Sequence, residues 1–173
     1  MTSKFVLIPV DLLKEILTSI FDSALKDKIK SILKTREVIE KQDVTSLPKT
    51  AHVKHVIDGD TVELQNGLVL RYVGMTAPET GEPFEKEATE ANKKFVEGKE
   101  ITLEYDNYKS DKFGRILAYP IVNNKIISIE LVKLGLAELV IYQKRKPFVH
   151  QSELLKAQEE AKKNKLGIWN NKN

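Results

Sequence analysis

Residues 51–73 read AHVKHVIDGDTVELQNGLVLRYV, and this run decides the fold. Val53, Val56, Val62, Leu64, Val69, Leu70 and Val73 give it β-branched and apolar strand character. Asn66-Gly67 separates Thr61–Gln65 from Leu68–Val73 and predicts a two-residue hairpin turn with positive φ at both positions. Downstream, residues 83–97 change to helical period, with Phe84, Ala88, Ala91 and Phe95 on one face and Gly98 as the stop. Glu100–Asp106 and Arg115–Val122 return to strand texture, and Asn123-Asn124 is a further turn. Ser128 is placed to cap a short helix ending at Gly135. Leu136–Tyr142 is one more strand candidate. A last helix runs from about His150 to Asn164, with Ile168 and Trp169 following as an apolar anchor. Closely spaced strands with early hairpins predict a small, highly curved barrel rather than a βαβ sheet.

Upstream, residues 1–47 have a different texture. Leu12, Leu13, Ile16, Leu17, Ile20 and Phe21 recur at helical spacing, and Leu25, Ile29, Ile32 and Leu33 continue the pattern. Gln42–Thr50, containing Pro48, reads as a linker. The chain therefore divides into an N-terminal α-helical extension, 1–47, and a main domain, 48–173. The extension carries no chemistry of its own. It reads as a cap on the main domain or as a module for a protein partner or self-association.

The whole chain has 173 residues, 41% apolar and 31% charged, which suits a packed core. It has no cysteine, which excludes disulfides, zinc-thiolate sites and thiol nucleophiles. The net charge is +3, from 28 basic and 25 acidic residues. That surplus permits a polyanionic partner without requiring one. No apolar run approaches the roughly 18 residues of a membrane span. The N-terminal apolar run is broken by Pro9 and closed by Asp11, so no secretory segment is expected and an intracellular location is favoured.

Three segments concentrate the chemistry. Asp58-Gly59-Asp60 sets two carboxylates around a glycine between strands, a pattern suited to a hard divalent cation and equally to a solvated turn. Arg71 lies on a strand that ends at Gly74, and a Pro-stiffened turn through Thr76-Ala77-Pro78 then presents Glu79. Asp111-Lys112-Phe113-Gly114-Arg115 is a basic loop that enters a strand. Each alone is an ordinary surface feature. Jointly they fit phosphodiester hydrolysis, in which a cation and two guanidinium groups stabilise the phosphoryl charge and a carboxylate works on water.

On these motifs, together with Gly135-Leu136-Ala137 and Gly167-Ile168-Trp169, residues 50–169 resemble the staphylococcal nuclease family. The resemblance implies an α+β fold, an OB-type five-stranded β-barrel with three helices. It also implies calcium-dependent cleavage of DNA and RNA, with a preference for single strands. By that resemblance Arg71 and Arg115 are the catalytic arginines, and Glu79 is the glutamate acting on the attacking water. Asp60 is a direct calcium ligand and Asp58 a carboxylate just beyond it. Ala77 offers a backbone carbonyl, and Lys112 contacts a terminal phosphate. Thr76 stands where the family has aspartate, which weakens the metal set and leaves open a nucleic-acid-binding module without turnover. Phe113 stands where tyrosine is frequent and keeps a ring for stacking. Tyr142 is a second candidate stacking residue. His52 and His55, three apart in a strand, do not read as a chelating pair.

Overall fold

A computed structural model describes residues 47–141 and 146–170. The expected helical extension, but for Leu47, lies outside the described residues, as do Tyr142, Lys144 and Arg145.

The first run of sequence forms β1 (Thr50–Val56), β2 (Thr61–Leu64) and β3 (Val69–Tyr72). A two-residue strand β4 (Met75–Thr76) leads to α1 (Glu85–Val96). Then come β5 (Glu100–Ser110), β6 (Ile116–Val122), β7 (Lys125–Ile126) and α2 (Ile127–Lys133). The last elements are β8 (Glu138–Leu139), α3 (Gln151–Lys163) and a 3-10 turn at Gly167–Trp169. Strands pair antiparallel as β3-β2-β1-β5-β6, and a parallel β3–β6 pairing closes the ring. The result is a closed five-stranded barrel with three helices, as expected. Val56, Val62, Leu64, Leu70, Ile101, Ile116 and Ala118 fill it, all buried. Closure removes the free sheet edges that would otherwise template aggregation. No helix among the described residues is long and apolar enough to cross a membrane.

Four local expectations are corrected. The Leu64 N–H donates to the Leu68 carbonyl, so the turn between them has three residues, 65–67, not two, and of these only Gly67 has positive φ (84°). The Gly67 N–H donates to the Leu64 carbonyl at 2.9 Å, and the Leu68 N–H donates to Asn66 Oδ1 at 3.1 Å. This is a type I turn closed by a left-handed glycine. The second correction concerns the buried face of α1, which is Ala88, Asn92 and Val96, with Ala91 and Phe95 only partly buried. Phe84 sits at the N-cap with φ 68°. A polar Asn92 in the core is what shifts the face from the apolar pattern. Ser128 does not cap α2: Ile126 is the N-cap, and Ser128 is buried in the first turn with its hydroxyl unpartnered. Finally, Leu136–Tyr142 yields only the two-residue β8 within the described residues, paired with β4.

The C-terminal anchor meets the segment after α2 through two glycines, Gly135 and Gly167. A Cβ on Gly135 would lie 2.3 Å from the Leu166 carbonyl oxygen, and one on Gly167 would lie 2.0 Å from the Gly135 oxygen. The Ile168 N–H donates to that same Gly135 oxygen at 2.9 Å. Gly135 also has φ +68°. Gly135→Ala is expected to cost about 1–3 kcal/mol from backbone conformation alone, and more from displacing residues 166–169. Urea unfolding followed by fluorescence of Trp169, the only tryptophan, tests this. An unchanged midpoint would contradict it.

Candidate active site

The Asp58–Asp60 turn is built by close packing. A Cβ on Gly59 would lie 2.5 Å from Ala77 Cβ and 2.8 Å from Ala88 Cβ, so glycine lets the turn settle between β4 and α1. The Asp58 carboxylate accepts the Asp60 N–H at 2.9 Å, the self-bond that makes Asp a turn residue. Asn92 Nδ2 donates to the Asp58 carbonyl at 2.9 Å, and Tyr72 Oη donates to Asn92 Oδ1 at 2.8 Å. A buried chain from barrel to helix thus fixes the turn.

Asp60 is 5% exposed and fully engaged. Its Oδ1 accepts the Thr61 hydroxyl at 2.8 Å. Its Oδ2 accepts the Ala77 N–H at 2.8 Å and pairs with Arg71 Nη2 at 2.9 Å. Burial pushes the carboxyl up to about 6, with Arg71 opposing and Asp58 adding to the rise. Arg71 Nη1 donates to the Tyr72 carbonyl at 3.0 Å and the Met75 carbonyl at 2.9 Å. Its Nη2 also reaches Thr76 Oγ1 at 3.3 Å. Arg71 therefore ties β2, β3 and β4 together at the mouth of the turn.

Arg115 is aimed by Asp111. Asp111 Oδ2 accepts Arg115 Nε at 2.7 Å, while its Oδ1 accepts the N–H groups of Phe113 and Arg115. That leaves the outer guanidinium amines for a ligand. Phe113 is 53% exposed, with Lys112 Nζ 4.9 Å and Arg115 Cζ 5.4 Å from its ring centre. Reading the loop as merely basic leaves Asp111 without a role. The signal for one is an Asp able to accept bonds two and four residues on.

A cleft of about 410 Å³ brings Arg71, Lys112, Phe113 and Arg115 together. Thr76, Ala77 and Glu79 line an adjoining hollow with Glu82, Phe84 and Glu138. Glu79 is exposed; its N–H donates to the Glu82 carboxylate at 2.8 Å. Thr76 in that hollow is joined to Arg71 in the cleft by the bond between Arg71 Nη2 and Thr76 Oγ1. Tyr142 cannot be placed, since it lies outside the described residues.

The possible cation donors are all oxygen: carboxylates of Asp58 and Asp60, the Thr76 hydroxyl and the Ala77 carbonyl. No group of three or more His, Asp or Glu side chains suited to a metal occurs among the described residues. Two neighbouring carboxylates, one with its pKa raised by burial and further by the other, fit a hard cation that would neutralise them. His52 and His55 are both exposed on β1, and His55 faces Glu97 at 3.5 Å.

The cleft's far wall is latched. Asp106 Oδ2 accepts the Tyr119 hydroxyl at 2.9 Å and the Val149 N–H at 2.8 Å. Next to it, His150 Nε2 lies 3.1 Å from Glu104, and its Nδ1 contacts Glu153. Burial disfavours the imidazolium, but the Glu153 and Glu104 carboxylates outweigh it, so the His150 pKa stands above its ordinary value. A raised folded-state pKa contributes stability below the unfolded value of about 6.5, and that contribution is lost as pH rises through the folded value. The stability gap between the native chain and His150→Gln is expected to be larger at pH 6 than at pH 8.5 in urea titrations. A gap independent of pH would contradict the latch.

A family model described as "Staphylococcal nuclease homologue" matches residues 69–171. The chain is 35% identical over 135 residues to a thermonuclease of Staphylococcus hyicus, covering 71% of this chain and 77% of that protein. A thermonuclease of Staphylococcus intermedius is 35% identical over 126 residues, 68% of this chain and 74% of that protein. The endonuclease YncB of Bacillus subtilis is 36% identical over 124 residues, 65% of this chain and 58% of that protein.

Proposed function

Because the chain belongs to the staphylococcal nuclease family and is accordingly a phosphodiester-cleaving enzyme, we propose that it is a calcium-dependent nuclease acting on single-stranded or fraying DNA and RNA. The observation that carries this reading is the joining of Arg71, Arg115, Lys112 and Phe113 in one cleft beside the Asp58–Asp60 turn. Cations and a ring at one mouth suit a phosphate with its unpaired base.

In this reading Arg115, oriented by Asp111, donates to the phosphoryl oxygens as their charge grows. Arg71 adds a second guanidinium, and a phosphate oxygen competes with Asp60 for its Nη2. Glu79 orients water, or takes its proton, for in-line attack on phosphorus; the leaving oxygen departs opposite. Lys112 attracts a neighbouring phosphate. Asp58, Asp60, Thr76 and Ala77 would hold a calcium ion, which supplies positive charge to the phosphoryl group when bound.

Thr76 favours a second reading, binding without turnover, because a hydroxyl is a poorer calcium ligand than a carboxylate. One experiment separates the two. Calcium binding by calorimetry and single-stranded DNA cleavage are measured for the native chain and for Thr76→Asp. The nuclease reading expects cleavage by both, with Thr76→Asp binding calcium about tenfold or more tightly, a difference of about 1.4 kcal/mol. Cleavage by Thr76→Asp alone would establish the second reading.

A further inference from the structure

We propose that Glu82 is a positioning residue, whose carboxylate fixes the loop that aims Glu79 at the attacking water; this rests on the nuclease reading, which gives Glu79 that role.

Glu79 stands in the loop 77–84, between β4 and α1. Both ends of that loop are tied. The Ala77 N–H is held by buried Asp60 at 2.8 Å, and the Glu85 N–H donates to the Glu82 carbonyl at 3.3 Å as α1 begins. Between the ties, residues 79–83 are all exposed. Gly81 runs at φ +90°, and a Cβ there would meet nothing within 4 Å. Packing therefore does not hold this stretch. Hydrogen bonds do. The Glu79 N–H donates to Glu82 Oε2 at 2.8 Å, and the Glu82 N–H donates back to the Glu79 carbonyl at 2.9 Å. The two bonds close residues 79–82 into a ring. A longer one runs from the Gly81 N–H to Glu85 Oε2 at 3.4 Å, so the ring is tied to the first turn of α1.

The Glu82 carboxylate serves Glu79 rather than the helix. The N-cap of α1 is Phe84, at φ 68° and with no side-chain cap bond. Free N–H groups and the helix dipole make such an end the ordinary destination of a nearby carboxylate. Glu82 lies two residues ahead of that cap and turns to Glu79 instead. Both glutamates then line one hollow with Thr76 and Ala77. A charged acceptor makes the stronger bond to an N–H. A displacement of about 1 Å at a reacting group can cost about 100-fold in rate. Loss of the bond that holds an exposed loop is therefore read as lost turnover. Glu82 acts through Glu79 and not on the substrate.

The test compares Glu82→Gln with Glu82→Ala. Both remove the charge, but the amide keeps an acceptor oxygen for the Glu79 N–H. Glu82→Ala is expected to lower kcat on single-stranded DNA about 10- to 100-fold, with KM and melting temperature nearly unchanged. Glu82→Gln is expected to recover most of that loss. In a Glu79→Gln background, Glu82→Ala is expected to cost little more, because the carboxylate it positions is already gone. A native rate in Glu82→Ala, equal losses in the two Glu82 variants, or the full loss in the Glu79→Gln background would overturn the assignment. Amide hydrogen exchange at Glu79, followed by NMR, reads the bond without turnover. Exchange is expected to be about 2- to 10-fold faster in Glu82→Ala than in the native chain. Equal exchange in the two would also overturn it. A native chain that shows the exchange difference but cleaves nothing would count against the nuclease reading alone.

Discussion

Glu79→Gln is expected to lower kcat on single-stranded DNA by about 100- to 10,000-fold, the range for loss of a general base or water-orienting carboxylate. The amide keeps the size and one acceptor oxygen but cannot take a proton. Glu79 is exposed, and its only hydrogen bonds among the described residues run through its backbone, to Glu82. Its side chain thus supports no fold contact that the substitution would break, and the melting temperature is expected to hold. KM is also expected to change little, because the phosphate is held by the arginines rather than by Glu79. A loss confined to kcat would identify the carboxylate with the chemical step. Cleavage at the native rate would remove Glu79 from the mechanism.

Arg71→Ala is expected to act on both reaction and fold. Loss of one preorganised donor to the phosphoryl group costs about 100- to 1,000-fold in rate. The fold suffers too, since Arg71 is the cation beside buried Asp60 and binds two backbone carbonyls. Breaking a buried pair costs about 3–5 kcal/mol when the orphan stays charged. Asp60 escapes part of that cost by protonating, since its pKa is already raised to about 6. Its folded pKa exceeds the unfolded value of about 3.9, so its contribution to stability falls as pH rises between the two. Removing Arg71 raises the folded value further, so in chelator the stability deficit is expected to be smaller at pH 5 than at pH 8. Arg71→Lys keeps the charge without the planar fork and is expected to recover stability better than rate. Equal deficits at both pH values, or a native rate in Arg71→Ala, would contradict the assignment.

The barrel was legible because alternation along β1 to β3 and the glycine and asparagine turns are local signals. The terminal anchor at Ile168-Trp169 was legible as apolar residues after a helix end. Strands β4 and β8 were not, because two-residue strands exist only through their pairing with each other. The face of α1 was misjudged because a buried Asn92 carries a bond to Asp58, 34 positions away, and no periodicity announces that. Ser128 has the residue type of a cap, yet the helix starts at Ile127 and packing buries Ser128 within its first turn.

The candidate site divides in the same way. Motif order brought Asp58, Asp60, Arg71, Glu79 and Arg115 into view, since each lies in a short run with its own turn or charge signature. The cross-links were hidden. Arg71 with Asp60 and Asp106 with Val149 depend on how distant segments meet.

Cleavage of a single-stranded DNA oligonucleotide by the native chain, across a calcium titration and again with excess chelator, tests the central claim most directly. The account predicts a rate that rises with calcium and falls to background with chelator. Cleavage that persists in chelator, or none at any calcium concentration, would contradict it.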